Sequence, residues 1–349
     1  MNRPAGGRVG PGRSIVEPSG VVISVQTSPE ERRTLWSWLR PAAGALVLWV
    51  LVARVGAGPF LDGLRLTSAG SLLAAAGLTA LTTWCCAWRW HLVSEGLGVP
   101  LRPWTAVTAV YRSQFLNATL PGGVLGDVDR ALAHAGGGGV VGPGVRSVVW
   151  ERTLGQVVQV ALTLVVLVLL PSPVRAAGGA AALAAAGLVL CLVAVVATRA
   201  RSRRVRTRAA STTGADLRDI LRSRRVRRGI AVTSAVAATG HLLVFLLAAH
   251  VAGVPASAVV LMPLAAVVLL AVALPMNVAG WGPREGMAAW AFGTAGLGVD
   301  AGVTTAVVYG VMALVATLPG ALVLLAGRRT RSRPAGAARR PVLQEATDA

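Results

Sequence analysis

The stretch LPGGVLGDVDRALAH, residues 120–134, puts one proline, three glycines, two aspartates and an arginine into a chain that is otherwise mostly apolar. Of its 349 residues 54% are hydrophobic and only 14% are charged, with a mean hydropathy of +0.64. Both values depart from those of an ordinary soluble domain in the direction of the membrane. The reading is therefore an all-α, multi-pass membrane protein, and the stretch is a break in one of its apolar helices.

The charge supports this once it is located. All 34 basic residues are arginine, and they give a formal charge of +20. Six lie in the first forty residues, twelve between Arg199 and Arg228, and six from Arg328 to Arg340. Arginine on the flanks of apolar runs is the pattern of the positive-inside rule and of attraction to anionic headgroups. No aromatic residues interleave the arginines and no nucleic-acid motif accompanies them, so a nucleic-acid partner is not expected. Cys85, Cys86 and Cys191 all fall in apolar segments, where free cysteine behaves as a small hydrophobe. Neither a metal-ligand pattern nor a cofactor motif is present.

A span needs about 20 mostly apolar residues. Six stretches qualify, at residues 41–58, 67–88, 147–170, 176–197, 230–252 and 303–326. Two more are apolar but interrupted, 104–134 and 257–298. Residues 1–40 read as a flexible basic cytoplasmic tail, 41–327 as the membrane domain and 328–349 as a second basic tail. The membrane domain divides into halves at 41–175 and 176–327, with a basic cytoplasmic loop at 198–229. Placing both tails and this loop in the cytoplasm requires 104–134 to dip into the bilayer and return. The second interrupted segment either dips from the exterior or crosses as a short pair. Trp84, Trp88 and Trp90 around Arg89 read as an aromatic belt where the second span reaches the cytoplasm. Two halves of opposite orientation, each with a broken helix, make an inverted repeat of the transporter kind. The expected location is the plasma membrane, with both termini cytoplasmic.

The two interrupted segments also align by residue. LPGGVLGDVDR from Leu120 set against LPMNVAGWGPR from Leu274 matches Leu-Pro with Leu-Pro, Gly126 with Gly280 and Arg130 with Arg284. Asp127 and Asp129 supply acid in the first, Glu285 in the second. Pro121 and Pro275 end a helix by removing a donor and crowding the preceding turn. The helix that restarts then offers free N–H groups to an anion. Kinking and close packing are the structural alternative for either motif alone.

Four motifs, FLNATLPGGVLGDVDR (115–130), SVVWERTLG (147–155), WRW (88–90) and LPMNVAGWGPREG (274–286), resemble the flippase-like membrane family related to the transmembrane region of lysylphosphatidylglycerol synthase. The likeness runs over about residues 42–327. It implies translocation of a lipid between leaflets. Only Arg328 to Ala349 follow, so aminoacyl transfer is not expected of this chain.

Charge at the centre of a membrane helix costs about 2.5–3.5 kcal/mol on insertion scales, so such groups pair or face a polar cavity. Arg112, Arg130, Arg152 and Arg284 are matched in number by Asp127, Asp129, Glu151 and Glu285. With Pro121, Gly126, Pro275 and Gly280 they form the candidate substrate-binding set. Arginine suits a phosphate because its planar fork reaches two oxygens at once. Arg152, Gln156 and Gln159 add a polar stripe at helical spacing, which either faces a cavity or bonds a neighbouring helix.

The leading functional reading is a lipid translocase for a phosphate-bearing lipid, a phospholipid or a polyprenyl phosphate, and not an enzyme. No GxxxxGK[ST] loop is present to couple it directly to ATP. Two alternatives stand beside it. One is an intramembrane lipid- or glycolipid-modifying enzyme using Asp127, Asp129 or Glu151. The other is a non-catalytic membrane partner of a lipid- or glycan-modifying enzyme.

Overall fold

A computed structural model describes residues 58–120, 123–135, 141–172, 209–272 and 281–331, with Trp49 and Ala53. Pro121, Pro275 and Gly280, the span at 176–197, nearly all of 41–58 and both tails lie outside the described residues. The rest is helical: α1 (Gly58–Leu66), α2 (Ala69–Gly96), α3 (Pro103–Thr119), α4 (Leu125–Ala135), α5 (Val141–Leu169), α6 (Ala209–Arg222), α7 (Arg224–Val251), α8 (Ala258–Val272), α9 (Pro283–Thr294), α10 (Val299–Ala316) and α11 (Pro319–Arg331). Among the described residues, four stretches are long and apolar enough to cross a membrane: Ala69–Gly96, Gly142–Leu169, Arg224–Val251 and Val299–Ala326. They coincide with four of the six expected spans.

α2 starts at a reciprocal cap, where Ser71 N donates to Ser68 Oγ (3.2 Å) and Ser68 N donates to Ser71 Oγ (3.1 Å). Its 28 residues extend about 42 Å, more than a hydrocarbon core requires. α2 and α7 then end in the same way. Gly98 and Gly253 take φ of +70° and +72°, which glycine adopts without strain. Val99 N returns to Ser94 O (2.9 Å), and Val254 N returns to Ala249 O (3.1 Å). A Gly-Val-Pro turn follows each long helix and leads into α3 or α8.

α7 packs more extensively on α2 than on any other helix, and the two run antiparallel. Gly229 near the start of α7 lies against Leu92 near the end of α2, while Gly240 further on lies against Thr82. The two Gly-Val-Pro turns therefore lie at opposite ends of the bundle.

α3 and α4 form a hairpin around the opening stretch. Going up α3, Arg112, Ser113 and Asn117 bond Asp129, Asp127 and Gly126 in turn, which is descending order on α4. Leu101 before α3 and Ala131 on α4 share one core patch with Trp90 and Val148, so the chain returns to the end from which it entered. α8 and α9 follow one another in the same order and pack together. α8 is apolar on every side and buried from Leu264 to Ala271, as an all-round apolar helix must be. The main core gathers Phe245, Leu264, Phe292, Val308 and Met312.

The basic stretch expected as a loop at 198–229 contains structure instead. α6 lies within it, and α7 begins at Arg224 rather than near residue 230. Arginine is a good helix former and does not end a helix. Ile220 is fully buried beside Leu92, Val93, Val226 and Ile230, and Asp216 pairs with Arg146 on α5 (3.0 Å).

Candidate functional site

The first candidate cluster forms where α2, α4 and α5 converge. Glu151, on the first half of α5, is 1% exposed and is held by two arginines. Arg89 from α2 donates to its Oε1 from Nη2 (2.5 Å) and Nε (3.1 Å), and Arg130 from α4 donates to its Oε2 (2.8 Å). Arg130 also lies 3.3 Å from Asp127, one turn earlier on its own helix. Asp127 further accepts from Arg152 (2.7 Å), Ser113 (2.9 Å) and Asn117 (3.2 Å). Each carboxylate is thus surrounded by donors, which makes the buried charge tolerable.

Aromatic rings and glycines shape the pocket around the guanidinium groups. Arg130 stacks over Trp90 at 4.5 Å from the ring centroid, and Trp90 Nε1 donates to Ser147 Oγ (3.0 Å). Gly155 leaves room for Arg89, since a Cβ there would come within 2.7 Å of Nη2. Arg89 Nη1 donates to Ser234 Oγ on α7 (3.2 Å), which ties the cluster to the second half. Arg130 is 2% exposed, yet its Nε is buried without a hydrogen-bond partner. Arg152 faces outward, with its side chain 51% exposed. Arg112 and Asp129 form a separate, half-exposed pair at the edge.

The second cluster is smaller. Arg284 donates to the carboxylate of its neighbour Glu285 from Nε (2.9 Å) and Nη2. It lies over Trp281 and Tyr309, at 5.1 Å and 5.4 Å from the ring centroids. Gly310 on α10 admits the guanidinium where any side chain would collide with it. Arg284 and Glu285 are both buried.

Three expectations meet the geometry at this level. The helix restarts were expected to offer free N–H groups to an anion. Instead Gly126 N donates to Asn117 Oδ1 (2.8 Å), and Gly282 N donates to Glu285 Oε2 (2.6 Å). One donor at each restart is therefore taken by a protein acceptor, and the arginines stand beside the donors that remain. The two broken segments were expected to form one site. Among the described residues the two clusters share no hydrogen bond or ion pair, and Pro275 and Gly280 of the second segment lie outside them. Finally, Arg89 and Trp90 are not part of an interfacial belt. Both are buried, while Trp84, Trp88 and Trp104 form the aromatic group at that position.

Gln156 and Gln159 are half-buried on α5 beyond Arg152, and one turn further on Thr163 lies 3.5 Å from the Ala266 carbonyl of α8. Arg89 is the site residue that sequence reasoning missed. Its signal was present as an arginine inside an apolar span, which ordinarily marks a buried pair.

The class these features define is a multi-pass helical membrane protein with a buried arginine–carboxylate network. The chain belongs to the family of the lysylphosphatidylglycerol synthase transmembrane region, whose model matches residues 37–320. No curated protein and no solved structure matches it.

Proposed function

We propose that the protein is a carrier that moves a phosphate-bearing lipid between the leaflets of the plasma membrane, without chemical conversion of the lipid. The observation that carries this reading is the composition of the first cluster: three arginines, the buried Arg89 and Arg130 and the half-exposed Arg152, share two carboxylates. Burying ions is expensive unless they are compensated. A surplus guanidinium beside a helix break is compensated when a lipid phosphate arrives, and Arg152 at the exposed edge provides the entrance.

The fold supports the same reading. Two halves of matching element order, each a long helix, a broken hairpin and a further long helix, start on antiparallel helices. In our reading they are inverted repeats whose hairpins re-enter from opposite faces, a carrier design in which one half rocks against the other. The basic loop and both tails then face the cytoplasm. An anionic lipid surface is the partner of the basic segments, and a lipid- or glycan-modifying enzyme is the protein partner to look for.

The test is transbilayer movement of labelled phosphatidylglycerol and polyprenyl phosphate in liposomes containing the purified full chain. Movement above that in protein-free liposomes is expected, and Arg130→Gln and Arg284→Gln should both lose it while remaining folded. Unchanged movement in both variants would remove the proposed site. Chemical conversion of the lipid would replace the carrier with an enzyme.

A further inference from the structure

The charge of the first cluster does not close. Arg89, Arg130 and Arg152 face Asp127 and Glu151, which leaves one positive charge over. The surrounding pairs do not change the count. Arg112 is balanced by Asp129, Arg146 by Asp216, and Arg284 by Glu285. Counted as neutral are Cys86 beside Arg89, His134 on the face of Trp90, and His241 on α7. The buried, unpartnered Nε of Arg130 is an independent sign that the network is one acceptor short.

Resting on the carrier reading, we propose that this site selects its lipid by net headgroup charge and takes a phosphodiester that carries a single negative charge. One such headgroup brings the network to neutrality inside the membrane, where any residual charge is strongly disfavoured. A phosphomonoester in its dianionic form, or a pyrophosphate, overshoots by at least one charge. A zwitterionic headgroup leaves the original surplus in place. A lysyl ester on a phosphatidylglycerol headgroup brings ammonium charge and increases the surplus. Selection therefore falls on the unmodified monoanionic lipid, with Arg130 and Arg152 as the residues that meet its phosphate.

The experiment uses the purified full chain in liposomes at mildly alkaline pH, where a phosphomonoester is dianionic. Labelled phosphatidylglycerol, phosphatidylcholine, lysylphosphatidylglycerol and polyprenyl phosphate are compared in the same vesicles. Phosphatidylglycerol is expected to move faster than each of the others by about tenfold or more. Asp129→Asn leaves Arg112 unbalanced and raises the surplus to two, so the preference should shift toward polyprenyl phosphate. Phosphate-bearing lipids that move at equal rates, or a wild-type order retained in folded Asp129→Asn, would overturn charge selection and leave the carrier intact. Absence of movement for every lipid would overturn the carrier itself. Where Asp129→Asn does not fold, the order measured for the wild type decides.

Discussion

At the scale of single residues, Glu151 is the junction of the network, because one carboxylate serves two buried guanidinium groups from different helices. Glu151→Gln removes the charge while keeping the shape, and leaves Arg89 and Arg130 buried with surplus charge. Breaking a buried pair from one side typically costs about 3–5 kcal/mol, so thermal unfolding of the detergent-purified variant should shift well below that of the wild type. Arg130→Gln combined with Glu151→Gln should recover part of the loss, since residues in one network are not additive. A Glu151→Gln protein as stable as the wild type would mean that the cluster is not tightly coupled. Sequence alone pointed to Glu151, Arg130 and Arg152 because acids and arginines in an apolar segment stand out. It did not pair Arg89 with Glu151, since that contact spans 62 positions and no local period announces it. Flanked by Trp88 and Trp90, Arg89 looks like an interfacial residue until the buried neighbours are known.

At the scale of elements, the α3–α4 hairpin closes because Gly126 lies directly on the backbone carbonyl of Ser113. Backbone cannot move aside as a flexible side chain can, so Gly126→Ala forces the helices apart and should cost about 1–3 kcal/mol as an overpacking change. The matched control is Gly142→Ala on α5, where the nearest atom to an added Cβ is the mobile end of Arg146 at 3.8 Å. Alanine there removes a helix-weakening glycine, and the variant should be unchanged or more stable by up to about 1 kcal/mol. Urea or thermal unfolding that ranks the pair in the opposite order would reject the close approach. The break between Thr119 and Leu125 was legible from the proline and glycines in the sequence there. The docked helix α6 was not, because twelve arginines mask its apolar contact. Ile220 buries itself on α2 through a single position, too sparse a signal for an amphipathic pattern.

At the scale of the whole molecule, α2 and α7 pack antiparallel, as the long helices of two inverted halves would. The parity argument from arginine placement required the first interrupted segment to return to the cytoplasm. The hairpin does return to its own starting end, where Leu101 and Ala131 meet. What the sequence could not supply is which partner each buried arginine takes, since Arg89 and Glu151 meet only through the packing of α2 on α5. The topology yields a direct prediction, since the two Gly-Val-Pro turns are chemically alike and lie at opposite ends. Pro100 and Pro255 are both exposed in those turns, and each can carry a single reporter cysteine in a chain where Cys85, Cys86 and Cys191 are replaced by alanine. In intact cells a membrane-impermeant thiol reagent should label Pro255→Cys and not Pro100→Cys, and permeabilisation should make both reactive. Labelling of both in intact cells, or of Pro100→Cys alone, would break either the inverted arrangement or its orientation. The two failures are distinguishable: a swapped pattern keeps the repeat and reverses the protein in the membrane. Equal labelling instead places both turns on one face, which the antiparallel long helices forbid.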